Sequence, residues 1–130
     1  MIAADTSSLV CFLSGVDGID VDAIRLGLRS QNLLLPPVVL SELVSAPDIS
    51  NQAIKFLKAL PLLEVENEFW LRAGLNRGKI LKRKLKAKVA DSLIAQACID
   101  ADIPLITRDN DFLHFKRFCG LRLAAFPEAE

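Results

Sequence analysis

The stretch VADSLIAQACIDADIPLITRDNDF, residues 89–112, constrains the fold more than any other part of the chain. Its first half has helical spacing but is apolar on nearly every side, so a helix there must be covered all round. Its second half holds IPLIT, a short apolar run that reads as a buried strand. A fully covered helix that leads at once into a buried strand belongs to a domain in which helices pack on a mostly parallel sheet.

The remaining segments alternate in the same way. MIAAD reads as a short buried strand ending at Asp5, followed by a helix over TSSLVCFLSG that opens on hydroxyl residues suited to capping. Asp20 is placed to cap a helix over DVDAIRLGLRSQ, and NLLLP reads as a second buried strand. Pro37 suits the first turn of a helix through VVLSELVS, and Ser50 suits the cap of NQAIKFLKAL. PLLEVE reads as a third strand and NEFWLRAGLNRGKILKRK as a long helix, while DFLHFKRF and LRLAAF supply a short helix and a last strand. The expected architecture is a three-layer α/β/α sandwich with a mostly parallel central sheet, built as one domain over residues 1–130.

Composition narrows the chemistry. The only histidine is His114, which reads as a packing or surface residue, so a two-histidine acid/base ribonuclease mechanism is impossible. Cys11, Cys98 and Cys119 are odd in number and widely spaced among apolar neighbours, which suggests reduced, buried thiols in a cytoplasmic protein rather than disulfides or a zinc site. No apolar run approaches the roughly 18 residues of a membrane span, and no secretory leader is visible at the start. The six glycines match neither of the phosphate-cradling spacings of nucleotide-binding loops. Catalysis, if present, rests on carboxylates.

Four of these converge. Active sites of parallel sheets form beyond the carboxyl ends of the strands, and Asp5 and Asp109 each follow a strand. A helix from Asp91 to Ala101 advances about 16 Å at 1.5 Å per residue. The strand from Ile103 to Thr107 returns about 17 Å at ~3.3 Å per residue, which brings Asp109 back beside Asp91. Glu42, early in the helix after the second strand, stays within reach of the same edge. Clustered carboxylates repel one another unless a cation lies between them, and oxygen-only ligands suit Mg²⁺ or Mn²⁺. Thr6, Ser7 and Thr107 are placed to hold metal-bound waters, to orient the acids or simply to cap, and Asp111 is placed either to cap the helix at Phe112 or to replace Asp109.

Charge is balanced overall but unevenly spread: eight of the sixteen basic residues lie between Arg72 and Lys88, with no acid among them. Lys82, Arg83, Lys84 and Lys86 form the densest part, which reads either as a solvated helix face or, since clustered cations gain from counterion release, as a contact for a nucleic-acid backbone.

The same residues resemble the PIN-domain family, and specifically VapC-type toxins of bacterial toxin–antitoxin pairs. IAADTSSLV is similar to the family's first motif, LPPVVLSELV to the second, and ADSLIAQACIDADIPLITRDNDF to the long third and fourth, in the right order over nearly the whole chain. The resemblance implies Asp5, Glu42, Asp91 and Asp109 as metal ligands and catalytic acids, with Asp111 as an extra acid. It also implies Mg²⁺- or Mn²⁺-dependent endoribonuclease activity on structured RNA, a homodimer, and a small antitoxin protein lying across the site. Two departures stand out: Ser92 follows the third acid, and the segment before Asp91 is unusually basic. The alternative from another class is a non-catalytic RNA-binding or scaffold protein of the same fold, which the intact acid set argues against.

Overall fold

Strand β1 (Ile2–Ala4) is the centre from which the fold is built. Its register aligns Ile2 with Leu33 of β2 (Leu33–Leu34) on one side and Ala4 with Ile106 of β3 (Leu105–Ile106) on the other. Strand β4 (Leu123–Ala124) adds outside β3, giving the order β2-β1-β3-β4 with every pairing parallel. The computed structural model describes residues 1–126.

Among the described residues, seven helices complete a three-layer α/β/α sandwich: α1 (Thr6–Leu13), α2 (Ile19–Arg29), α3 (Pro37–Val44), α4 (Asn51–Lys58), α5 (Phe69–Leu81), α6 (Val89–Ala101) and α7 (Phe112–Cys119). Helix α6 is the covered one, with Ile94, Ala95, Ala97 and Cys98 all in the core. It packs against α3, α5 and α7, and its alanines let those neighbours approach closely. A polar staple ties it to α5: Arg72 pairs with the Asp100 carboxylate, and Gln96 bridges Asp100 (2.9 Å) and Asn76 (2.8 Å). Gly27 serves packing on the opposite layer, since a Cβ there would sit 3.3 Å from Ile2 and 3.4 Å from Leu33.

Three expectations change. PLLEVE is not a strand; it contributes one parallel bridge, Leu62 to Leu35. The reason is local: Leu35 spends both its backbone groups on Pro61 and Leu63, and the next residue to face that side, Pro37, has no N–H with which to extend the ladder and begins α3. Asp20 does not cap α2, which starts one residue earlier with Gly18 at the cap position. The basic helix is shorter than its pattern, bounded by Glu68 and Lys84 in left-handed conformations.

Because all strands run the same way, their carboxyl ends share one edge. The chain leaves β1 toward β2 on one side and later returns to β3 on the other. The two strands flanking that reversal end at Asp5 and Thr107, the crevice position of open parallel sheets.

Candidate active site

Asp5 is held by its neighbours on every side. As the cap of α1 its carboxylate accepts from the Ser8 N–H at 3.1 Å. The Ser7 hydroxyl donates to both of its oxygens (2.9 and 3.0 Å), and the Thr107 hydroxyl donates at 2.6 Å across the β1–β3 pair. Thr107 also accepts from the Asp109 N–H at 3.0 Å, so one buried hydroxyl joins the first and fourth acid segments. The Thr6 hydroxyl, next along, donates to Glu42 at 2.6 Å and ties α1 to α3.

Asp91, at the start of α6, has a different environment. Asp91, Asp109 and Asp111 each present a carboxylate oxygen, and these oxygens lie within 4.8 Å of one another. The return of the chain from α6 through β3 thus brings together residues 18 positions apart, as the lengths of the two elements require. Oδ2 of Asp91 is buried and has no hydrogen-bond partner among the described residues. Three grouped carboxylates, one of them with an oxygen that no protein donor satisfies, are the donor set a hard cation takes, so the residues fit Mg²⁺ or Mn²⁺. Asp111 occupies the cap position of α7 without capping it through its side chain. Instead the Asp109 carboxylate accepts from the Asp111 N–H at 2.9 Å, and Asp111 reaches Lys86 at 3.4 Å.

The electrostatics link all five acids. Burial pushes the Asp91 carboxyl up to about 6, and the charges of Asp109, Asp111 and Glu42 add to the rise, against Lys88. Asp5 is likewise pushed up to about 6 by burial, with Asp109 contributing and the hydrogen bonds from Thr107, Ser8 and Ser7 opposing.

Sequence reasoning missed the support behind this rim. Asp20 is fully buried, and Arg108 grips it with two hydrogen bonds of 2.8 Å, one to each carboxylate oxygen. Ser8 donates to the same carboxylate at 2.8 Å, while the Arg108 N–H reaches Ser7 at 3.4 Å. Burial opposes the charge on Asp20, but the bonds from Arg108 and Ser8 outweigh it and hold its carboxyl below the usual range. Gly18 marks the spot, since a Cβ there would stand 2.4 Å from Asp20 and 2.7 Å from Arg108. A glycine two residues before an aspartate was the available signal.

Of the basic segment, Lys86 turns to Asp111 and Arg83 stacks over the Phe118 ring at 4.2 Å. Lys82 and Lys84 are exposed. With Lys79, residues Lys82, Arg83 and Phe118 line a basic hollow of about 340 Å³. His114 on α7 is half-buried, and all three cysteines are free thiols, but only Cys98 is buried, which pushes it up to about 12, while Cys11 and Cys119 are half-buried. No helix among the described residues is long and apolar enough to cross a membrane.

Comparison with known proteins agrees with the topology. The chain is similar to VapBC2 from Rickettsia felis, solved bound to a DNA fragment from the promoter, at 24% identity and a TM-score of 0.69, covering 95% of this chain and 98% of the other. It is similar to VapBC-1 from nontypeable Haemophilus influenzae at 20% identity and 0.71, covering 95% and 97%. VapBC-5 from Mycobacterium tuberculosis gives 17% and 0.61, covering 93% and 94%. At these identities the likeness establishes the fold. Among curated proteins, no sequence matches the chain. The family model for the PIN domain matches residues 2–118, from the first strand through α7, and the chain belongs to the PIN-domain family.

Proposed function

We propose that the chain is a metal-dependent endoribonuclease that hydrolyses RNA phosphodiester bonds in the cytoplasm, as the toxin of a toxin–antitoxin pair. The observation that carries this reading is the group of three carboxylates of Asp91, Asp109 and Asp111, at the strand-end edge beside Asp5. Asp5, Glu42, Asp91 and Asp109 are the proposed ligands of Mg²⁺ or Mn²⁺, with Asp111 a fifth carboxylate in the same group. Such an ion supplies a Lewis acid for a phosphoryl oxygen and acidifies a bound water.

The chain's own residues supply position and charge. Thr107 and Ser7 fix the Asp5 carboxylate, and Thr6 fixes Glu42. These supports give Asp5 and Glu42 one orientation before substrate arrives, which is how preorganised sites act. Lys82, Arg83, Lys84 and Lys86 meet the RNA backbone, and Lys86 brings that positive segment to the edge of the acids. The likeness to VapBC structures supports a small antitoxin as partner, and the resemblance to VapC-type toxins supports a homodimer.

The test is cleavage of structured RNA by the purified chain with Mg²⁺ or Mn²⁺ and with chelator. Cleavage is expected with metal, and Asp91→Asn is expected to lose both cleavage and calorimetric Mn²⁺ binding. An Asp91→Asn protein that cuts RNA like the parent overturns the assignment, and RNA binding without cleavage by the parent favours a non-catalytic role.

A further inference from the structure

The basic segment touches α7 at both of its ends, in a fixed order. Lys86 meets Asp111 at 3.4 Å at the start of α7, and the Arg83 guanidinium lies 4.2 Å over the ring of Phe118 in its last turn. Asp111 and Phe118 are two helical turns apart, so they lie on one side of α7 and about 10 Å from each other. The chain from Arg83 to Lys86 therefore runs along α7 toward the acids. It is held there: Arg77 donates to the Ala87 carbonyl at 2.8 Å, Leu85 packs on the core and Ala87 is buried. Lys84, Lys86 and Lys88 alternate with those two and are exposed.

The end away from the acids is more than a charged face. Lys79, Lys82, Arg83 and Phe118 line the basic hollow described above. Arg117 stands 5.0 Å from the same ring, so two guanidiniums crowd one aromatic side chain. Among the described residues, none of Lys79, Lys82 and Arg83 is in an ion pair. Like charges gathered in a hollow focus the potential and favour an anion there. A planar guanidinium laid on a ring adds something that a bare phosphate does not use. It is a stacking platform, and unpaired bases stack on such planes. Arg83 is exposed, so the face of its guanidinium away from Phe118 is open to a base.

We propose that this hollow is a subsite for one unpaired nucleotide of the RNA, with its base stacked on the outer face of the Arg83 guanidinium and its phosphate taken by Lys79 and Lys82. This rests on the nuclease reading above and adds which part of an RNA the site accepts. A stacked strand advances about 3.4 Å per nucleotide, so the 10 Å along α7 puts this nucleotide about three positions from the bond at the acids. A duplex keeps its bases paired inside, and the subsite therefore selects loops and single strands.

The test is binding without cleavage, by fluorescence anisotropy of the full chain in chelator. The probes are a short labelled oligoadenylate, the abasic strand of the same length, and the duplex with oligouridylate. The parent is expected to bind the oligoadenylate about 5- to 100-fold more tightly than the abasic strand, the range for stacking of one base, and more tightly than the duplex. Arg83→Lys keeps the charge and removes the plane, so it is expected to lose that preference at an unchanged salt slope. Lys79→Ala is expected to do the reverse, lowering the slope by roughly 0.7 and keeping the preference. No binding by the parent, equal binding of the abasic strand or the duplex, or a preference that survives Arg83→Lys overturns the subsite. Cleavage with Mn²⁺, scored on the same parent chain, reports on the nuclease reading separately. A chain that shows the base preference and cuts nothing keeps the subsite and loses the nuclease, while one that cuts without the preference does the opposite.

Discussion

Asp5 and Asp91 are both carboxylates whose ionisation is pushed up to about 6 at one rim, but they arrive there differently. Asp5 is dry and fully engaged: two hydroxyls and a backbone N–H donate to it, and burial still raises it. Asp91 is dry and unengaged, with an orphaned oxygen and two carboxylates for neighbours. The protein satisfies the first acid itself and leaves the second to be satisfied from outside. Binding is therefore to be sought on the Asp91 side and rigidity on the Asp5 side.

Alanine substitution breaks that comparison most directly. Asp5→Ala removes the cap of α1 and strands buried donors, which is expected to cost about 2–3 kcal/mol in denaturant unfolding. Asp91→Ala strands no donor and relieves like-charge repulsion, so the metal-free protein at pH 7.5 is expected to unfold no more easily than the parent. Both variants are expected to lose cleavage. Equal destabilisation by the two would erase the distinction.

Thr107→Val sharpens it at the junction. The hydroxyl supports Asp5 and accepts from the Asp109 N–H, and loss of such an orienting partner is expected to lower metal affinity or activity about 10–100-fold. Titration calorimetry with Mn²⁺ reads the affinity.

The pH dependence of stability separates the two sides next. Both carboxyls bind protons more tightly folded than at their ordinary value of 3.8, so their ionisation opposes folding. Their penalty is absent below about 4, grows through about 6 and is complete above it. Without metal, the melting temperature is expected to rise as the pH falls from 8 to about 5. Asp20 and Asp100 run the other way, with folded values lowered, and their stabilisation is lost on further acidification. Saturating Mg²⁺ is expected to flatten the upper limb chiefly through Asp91. An unchanged limb with Mg²⁺ would count against a cation at that carboxylate.

The smallest effect belongs to the basic segment. Charge reversal at Lys82, Arg83, Lys84 and Lys86 is expected to weaken RNA binding and reduce the salt slope by roughly 0.7 for each phosphate of a single strand that is no longer neutralised. Filter binding across salt concentrations measures it, and an unchanged slope would make these residues a solvated face.

What was legible in the sequence followed from distances that chemistry fixes. The rise of a helix and of a strand sufficed to bring Asp109 back to Asp91, and strand ends located Asp5 and Thr107. Helix and strand identities were also legible wherever apolar spacing was long and regular. PLLEVE failed because a six-residue pattern says nothing about Pro37 on the neighbouring segment. Asp20 was misread because its partner, Arg108, lies 88 residues away, and an acid near a helix start resembles a cap whether or not it is one. The choice between Asp109 and Asp111 was too narrow a question, since both carboxylates stand with Asp91 while Asp109 also braces the start of α7.

The double duty of Asp5 has a practical consequence for anyone seeking a harmless form of the protein. Its side chain starts a helix as well as lining the rim, so silencing the rim there also loosens the scaffold. Asp91 carries no such structural assignment, so Asp91→Asn is the better variant for testing the proposed nuclease role on an intact surface.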